Sequence, residues 1–196
     1  MIKAILFDAD GVLINGEMFS TVLERDYGIP PEKTLPFFQG IFQETIVGNA
    51  DLKEIIAPHL KKWGWNKSVD ELLETWFTAE HSTDEELIAY IQQLRKDGIV
   101  CCLATNQEKY RIAYMLEHMG FKDAFDKIFA SAHMGFMKPD VRFFAKAFED
   151  LRDVEKGEVL FWDDSPKKVA GAKEFGIHAE VYTTFEDFKE KMRGYL

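Results

Sequence analysis

The sequence predicts an α/β protein whose core is a doubly wound parallel sheet, with an all-helical cap inserted after the first strand. Short, continuous apolar runs alternate with stretches of helical periodicity, which is typical of strands covered by helices on both faces. Between residues 17 and 80, in contrast, only helical patterns occur. We therefore expect residues 1–16 and 81–196 to form the α/β core and residues 17–80 to form the helical cap.

The predicted strands are short apolar runs that end at polar or turn-forming residues. Five runs are expected to form strands, over residues 2–7, 99–104, 127–130, 158–162 and 179–182. The first run ends at Asp8, the second at Thr105 and the fourth at Asp163. Their lengths and bounding residues favour buried strands over helices.

The predicted helices are recognised by apolar spacing and by their terminal residues. Ser68 with Glu71, and Thr83 with Glu86, have the spacing of a capping box, which marks a helix start. Further helices are expected over residues 17–27, 51–63, 107–119, 141–151 and 169–175. Residues 36–42 break the helical spacing and are expected to form a loop, which either packs the interior of the cap or lines a ligand pocket.

Composition and charge exclude several classes of protein. Hydrophobic residues make up 46% and charged residues 30% of the 196 residues, as in ordinary globular proteins. The net charge of −10 argues against nucleic-acid and membrane partners, because surfaces that bind phosphate backbones or anionic lipids are basic. The chain has no apolar membrane-length run and no signal-peptide pattern at its start. With Cys101 and Cys102 expected to be reduced, a cytoplasmic location is predicted.

Polar side chains suited to chemistry lie where the predicted strands end. They are Asp8 and Asp10, Thr105 and Asn106, and Asp163 and Asp164, with Lys138 in the loop after the third strand. Each alone has a structural explanation, as a solvated turn, a helix cap or a surface charge. Because ligands of open α/β sheets bind beyond the carboxyl ends of the strands, their order along the chain favours one shared site.

Four motifs at these positions resemble those of the haloacid dehalogenase superfamily of phosphohydrolases, in its branch with an all-helical cap. They are Phe7-Asp8-Ala9-Asp10-Gly11-Val12-Leu13, Leu103-Ala104-Thr105-Asn106, Met137-Lys138-Pro139-Asp140 and Phe161-Trp162-Asp163-Asp164-Ser165-Pro166. The resemblance covers nearly the whole chain and implies a Mg²⁺-dependent phosphomonoesterase for a small phosphorylated metabolite. The segment over residues 48–54 resembles a helix entry in members that act on sugar phosphates.

The resemblance assigns the two aspartates of the first motif to the reaction. It implies that Asp8 is the nucleophile that attacks phosphorus to give an aspartyl-phosphate, an anhydride that water hydrolyses readily. It implies that Asp10 protonates the leaving oxygen and later deprotonates the attacking water.

The remaining motif residues are implied to bind phosphate and metal. Thr105, Asn106 and Lys138 would hold the phosphate oxygens and offset developing charge. Asp8, the backbone carbonyl of Asp10 and Asp164 would bind Mg²⁺, because two carboxylates facing a phosphate dianion require a cation. Asp163 would orient Asp164 or Lys138 through a hydrogen bond or ion pair, without binding the phosphate itself.

One position departs from the family pattern. Members whose fourth motif contains two aspartates often carry an asparagine four residues after the second one, where this chain has Lys168. We expect this lysine to lie on a solvent-facing helix surface, away from the reaction.

The residues leave three functions to be compared with a phosphomonoesterase. A dehalogenase has no need of Asp10, which counts against that activity. A phosphomutase would share every core motif, and a regulatory module that only binds a phosphate ligand would share the fold. The expected partner is a small phosphate ester, and the sequence leaves the oligomeric state open.

Overall fold

The computed structural model describes residues 1–196 and contains a five-stranded parallel sheet with the order β3-β2-β1-β4-β5. The strands are β1 Ala4–Phe7, β2 Val100–Thr105, β3 Lys127–Ala130, β4 Val159–Asp163 and β5 His178–Val181. All four strand pairs are parallel, and Phe7 of the central strand lies opposite Leu103 on one side and Trp162 on the other. This register brings the carboxyl ends of β1, β2 and β4 to one edge of the sheet.

Helices cover both faces of the sheet, as predicted for a doubly wound fold. Along β1, Ile5 and Phe7 belong to one buried cluster, and Ala4 and Leu6 belong to a second cluster on the opposite face. The core helices are α6 Glu85–Lys96, α7 Lys109–His118, α8 Phe121–Ala124, α9 Ser131–Met134, α10 Val141–Glu149, α11 Pro166–Phe175 and α12 Phe185–Met192. The predicted fold class is therefore confirmed.

The stretch between β1 and α6 is helical and has a core of its own. It contains α1 Phe19–Tyr27, α2 Pro31–Gln39, α3 Phe42–Ile46, α4 Leu52–Trp63 and α5 Val69–Ala79. Its buried cluster is rich in aromatic residues, and Phe19 stacks on Trp76 with ring centroids 5.1 Å apart. We call this stretch the helical insertion. None of the protein's helices is both long and apolar enough to cross a membrane.

The prediction of a loop over residues 36–42 is wrong except at Gly40 and Ile41, because α2 extends to Gln39 and α3 begins at Phe42. Helix α2 continues through Pro36 to Gln39, because Phe37 is buried against the rest of the insertion. Phe38 packs edge-on against Phe37 and Trp76 in the same aromatic cluster. The apolar contacts of these rings stabilise the helix against the break that the sequence spacing indicates.

The capping box of Ser68 and Glu71 is confirmed, whereas several helices start at other residues than predicted, among them α11, which begins at Pro166. Helix α6 is capped by Asp84, which accepts from the backbone N–H of Leu87, and not by Thr83. Helix α7 begins at Lys109 and is capped by the buried carboxylate of Glu108. Thr105 therefore caps no helix.

The first turn of α7 connects the core to the helical insertion. Lys109 and the hydroxyl of Tyr110 bind Asp51 at 2.5 and 2.8 Å. The guanidinium of Arg111, which is almost fully buried, donates to the carbonyl of Phe77 at 3.0 Å. Three consecutive residues of one core helix thus contact two separate parts of the insertion.

Candidate active site

The candidate site is centred on Asp8, the first residue after β1. Asp8 is only 1% exposed, and its Oδ1 accepts a hydrogen bond of 2.7 Å from the backbone N–H of Ala9. Two ammonium groups contact its two oxygens: Lys138 Nζ lies 2.9 Å from Oδ1, and Lys168 Nζ lies 2.7 Å from Oδ2. Burial alone would raise the pKa of Asp8, but these lysines outweigh burial and lower the pKa to about 2.

Lys138 is held in place by three oxygen atoms at the strand ends. Besides Asp8, its Nζ binds the carbonyl of Ala104 at 2.6 Å and Oδ2 of Asp163 at 2.7 Å. Its backbone is fixed by Asn106, whose side-chain amide donates to the Lys138 carbonyl and accepts from the Lys138 N–H, both at 2.9 Å. The resemblance assigns Asn106 to substrate binding, whereas in the structure its side chain forms hydrogen bonds to the loop that carries Lys138.

The expectation that Lys168 faces solvent is wrong. Its Nζ contacts Asp8, lies 3.3 Å from Asp163 Oδ1 and lies 4.0 Å from Asp164 Oδ1. The reason is the packing of α11: Gly171, one turn further along, lies so close to Pro139 that a Cβ atom would stand 2.2 Å from its carbonyl oxygen. This close approach turns the helix face that carries Lys168 towards the strand ends.

Three carboxylates form the acidic side of the site. Asp8, Asp163 and Asp164 each offer an oxygen within 4.8 Å of the others, an arrangement that suits a divalent cation with oxygen ligands. Asp163 is buried, and its Oδ1 also accepts from the backbone N–H of Ser165 at 2.9 Å. Asp164 is half-exposed and packs against Gly11, where φ is +76° and a Cβ atom would stand 2.4 Å from Asp164 Oδ2.

Asp10 lies beside this cluster and has a different environment. Asp10 is exposed to solvent at one side, but the protein atoms around it still desolvate it and raise its pKa, and the negative charge of Asp8 raises the pKa further. Gln107 Nε2 donates a hydrogen bond of 2.5 Å to Asp10 Oδ2. Gln107 was not predicted as a site residue, because the sequence places it inside a helix that in fact begins at Lys109.

Thr105 ends β2 at the same edge of the sheet. It is buried, and its hydroxyl has no hydrogen-bond partner within the protein. Buried hydroxyl groups are almost always paired, so an unpaired one at the edge that holds Asp8 indicates a place for a ligand oxygen.

A cleft of about 550 Å³ opens beside Asp10, between the strand ends and the helical insertion. The core side of the cleft is polar and includes Asn106 and Gln107. The insertion supplies an apolar side with Met18, Phe42, Ile46 and Trp76, together with the carboxylate of Glu80. Met18 is 70% exposed, so its side chain is open to solvent at this cleft.

The fold and this carboxylate–lysine cluster define an α/β protein with a candidate site at the carboxyl ends of its parallel strands. A family model described as haloacid dehalogenase-like hydrolase matches residues 2–176. The chain therefore belongs to the haloacid dehalogenase-like hydrolases, as its motifs predict.

Several curated relatives are phosphatases. The sesquiterpene phosphatase astK of Aspergillus oryzae is 30% identical over 95 residues, which are 48% of this chain and 47% of that protein. The GMP/IMP nucleotidase YrfG of Escherichia coli is 29% identical over 93 residues, 47% of this chain and 41% of the relative. These matches span less than half the length of either relative. The validoxylamine A 7'-phosphate phosphatase of Streptomyces hygroscopicus subsp. limoneus is 27% identical and matches 95% of this chain and 88% of its own.

Solved structures share the fold along the whole chain. A HAD family enzyme of Bacteroides thetaiotaomicron, in complex with magnesium and inorganic phosphate, superposes with a TM-score of 0.80 at 23% identity and covers 98% of this chain and 100% of that one. L-2-haloacid dehalogenase of Xanthobacter autotrophicus superposes with a TM-score of 0.68 at 22% identity, with 100% and 84% covered. At these identities the likeness shows the fold alone.

Proposed function

We propose that the protein is a Mg²⁺-dependent phosphomonoesterase that acts on a small phosphorylated metabolite through an aspartyl-phosphate intermediate. The observation that carries this proposal is the pair of aspartates at the end of β1, where Asp8 is held ionised between two lysines and Asp10 has a raised pKa. Two carboxyl groups with opposed pKa shifts are the arrangement that a nucleophile and a general acid require.

Asp8 is suited to attack phosphorus. A carboxylate must be ionised to act as a nucleophile, and the ammonium groups of Lys138 and Lys168 keep it so despite its burial. Lys138, fixed by Ala104, Asp163 and Asn106, orients the carboxylate and carries positive charge to the place where phosphate oxygens arrive. The unpaired hydroxyl of Thr105 supplies a further hydrogen bond to those oxygens.

Asp10 is suited to move protons at the leaving oxygen. Its raised pKa favours the protonated form that a general acid needs, and after the leaving group departs the same carboxylate can accept a proton from water. Gln107 positions it, because the side-chain amide donates a hydrogen bond to Oδ2 of Asp10.

The residues present fit a magnesium ion. Asp8, Asp164 and the backbone carbonyl of Asp10 would hold it, since hard divalent cations prefer oxygen ligands and these carboxylates converge. When bound, the ion would offset the repulsion between the carboxylates and a phosphate dianion. Asp163 stays behind the site, where it pairs with Lys138.

The helical insertion supports a role as a cap over the substrate's leaving group. Residues 1–16 and 81–196 then form the catalytic core, and residues 17–80 form the cap, whose apolar side chains line the cleft beside Asp10. The core motifs are assigned to the phosphate, the metal and the leaving oxygen, which all phosphate esters share, so selectivity among esters would fall to the cap.

We expect purified protein to release inorganic phosphate from part of a panel of phosphorylated metabolites when Mg²⁺ is present. Release should stop when EDTA removes the metal and return when excess Mg²⁺ is added. The products should be analysed for isomeric phosphates, because their formation without phosphate release would identify a phosphomutase. No turnover on any ester, with binding of phosphate retained, would favour a regulatory module instead.

Cleft variants should change substrate preference. Met18→Ala and Phe42→Ala are expected to lower kcat/KM about tenfold for esters with bulky apolar leaving groups, since lost apolar contacts typically cost that much. Turnover of acetyl phosphate, whose leaving group is small, should change little. The matched control is Leu35→Ala, an exposed apolar residue of α2 outside the cleft. An equal loss on every substrate would show that the cleft does not select the leaving group.

A further inference from the structure

Lys168 lies among the same carboxylate oxygens that the proposed magnesium site uses. Its Nζ is 2.7 Å from Asp8 Oδ2, 3.3 Å from Asp163 Oδ1 and 4.0 Å from Asp164 Oδ1. Lys138, in contrast, contacts the other oxygens of the cluster, Asp8 Oδ1 and Asp163 Oδ2. The two lysines thus contact different oxygen atoms of Asp8 and Asp163. Lys168 alone also lies near Asp164, one of the proposed magnesium ligands.

An ammonium group and a divalent cation cannot share this place without a large electrostatic cost. Both would draw on Asp8 Oδ2 and Asp164, and two cations a few ångströms apart repel strongly where protein atoms replace water. The side chain of Lys168 is 24% exposed, whereas that of Lys138 is fully buried. Lys168 therefore has access to solvent along which its ammonium can withdraw, and Lys138 has none.

We propose that Lys168 is a built-in cation of the site that competes with Mg²⁺ for Asp8 and Asp164 and is displaced when the metal binds. This inference rests on the proposed magnesium site. Lys168 pairs with Asp8 before the metal arrives. A phosphate group offers the withdrawn ammonium new oxygen acceptors, so phosphate and Mg²⁺ should each favour binding of the other.

Metal affinity measures this competition directly. Protein stripped with EDTA and then dialysed should be titrated with Mg²⁺ by calorimetry and with Mn²⁺ by electron paramagnetic resonance. Lys168→Asn and Lys168→Gln should each lower the Kd by at least about tenfold, because they remove a unit positive charge from contact with the ligands. The two amides can still donate hydrogen bonds, so they test the charge and not the packing.

Lys167→Asn is the matched control. Lys167 precedes Lys168 on α11, is exposed and has the same formal charge, so its replacement changes the net charge of the protein equally. Its Kd for metal should stay within about twofold of the wild type, since exposed charges are screened by solvent and salt. Circular dichroism should confirm that all three variants are folded.

The outcomes separate this inference from the proposed function. An unchanged or higher Kd in both Lys168 variants, with metal binding that Asp164→Asn abolishes, would overturn the competition and leave the magnesium site intact. If neither the wild type nor Lys168→Asn binds Mn²⁺, even with inorganic phosphate present, the proposed magnesium site itself fails. If Lys167→Asn tightens binding as much as Lys168→Asn, the effect is one of net charge and the competition is excluded.

Discussion

Replacing Asp8 with asparagine is expected to lower turnover of p-nitrophenyl phosphate by at least about a thousandfold, the usual scale for loss of a nucleophile. The amide is nearly isosteric with the carboxylate but cannot attack phosphorus as an anion. The structure also predicts the effect on stability. Both lysines contact Asp8, so its replacement removes the buried negative charge that they share and leaves their ammonium groups with only Asp163 and Asp164 as negatively charged partners.

The melting temperature of Asp8→Asn should therefore fall below that of the wild type, because removal of one partner from a buried ion pair leaves the other charge uncompensated. Steady-state kinetics and thermal denaturation on the same preparation check both expectations. Asp123→Asn, at an exposed carboxylate of α8, is the control and should keep full activity. Residual activity above about a thousandth of wild type in Asp8→Asn would refute the nucleophile assignment.

Asp10→Asn is expected to slow turnover by about a hundredfold or more, the usual contribution of a general acid or base, and to make the covalent intermediate accumulate. p-Nitrophenolate leaves without being protonated, so attack by Asp8 should still occur. Hydrolysis of the aspartyl-phosphate needs a base, which the asparagine lacks. The hydrogen bond from Gln107 survives, since an amide oxygen can accept it as the carboxylate oxygen does.

Acid quenching during turnover, followed by detection of protein-bound phosphate, should show more covalent phosphate in Asp10→Asn than in the wild type. The double variant with Asp8→Asn should show none, which ties the label to Asp8. Equal or lower labelling in the single variant, with phosphate binding retained, would contradict the role of Asp10 in hydrolysing the intermediate.

The sequence predicted the parts of the site that depend on strand ends. Asp8 and Asp163 follow apolar runs, and parallel pairing in register necessarily brings the ends of β1 and β4 together. Local sequence signals were sufficient to predict this part of the site, because strands that pair in parallel within one sheet have their carboxyl ends at the same edge.

The sequence did not reveal how the helices are oriented. Lys168 faces Asp8 because Gly171 lets α11 approach the backbone of Pro139, a contact between segments far apart in the chain. Gln107 reaches Asp10 because Glu108 caps α7 and keeps the preceding residues out of the helix. The contact of Lys168 depends on tertiary packing, and that of Gln107 depends on a helix cap that overrides the apolar periodicity. Neither contact can be predicted from the local spacing of residues.

The contacts of the first turn of α7 determine which residues would have to be exchanged together in a chimeric protein. Lys109, Tyr110 and Arg111 belong to the core by sequence, yet their side chains match Asp51 and the end of α5. A chimera that takes residues 17–80 from another family member would place those three side chains against foreign partners and leave the buried guanidinium of Arg111 without the carboxylate of Glu80, which lies 3.3 Å away. A working exchange therefore needs two separate segments of the chain. The insertion must be transferred together with residues 109–111, which begin two residues after Gln107.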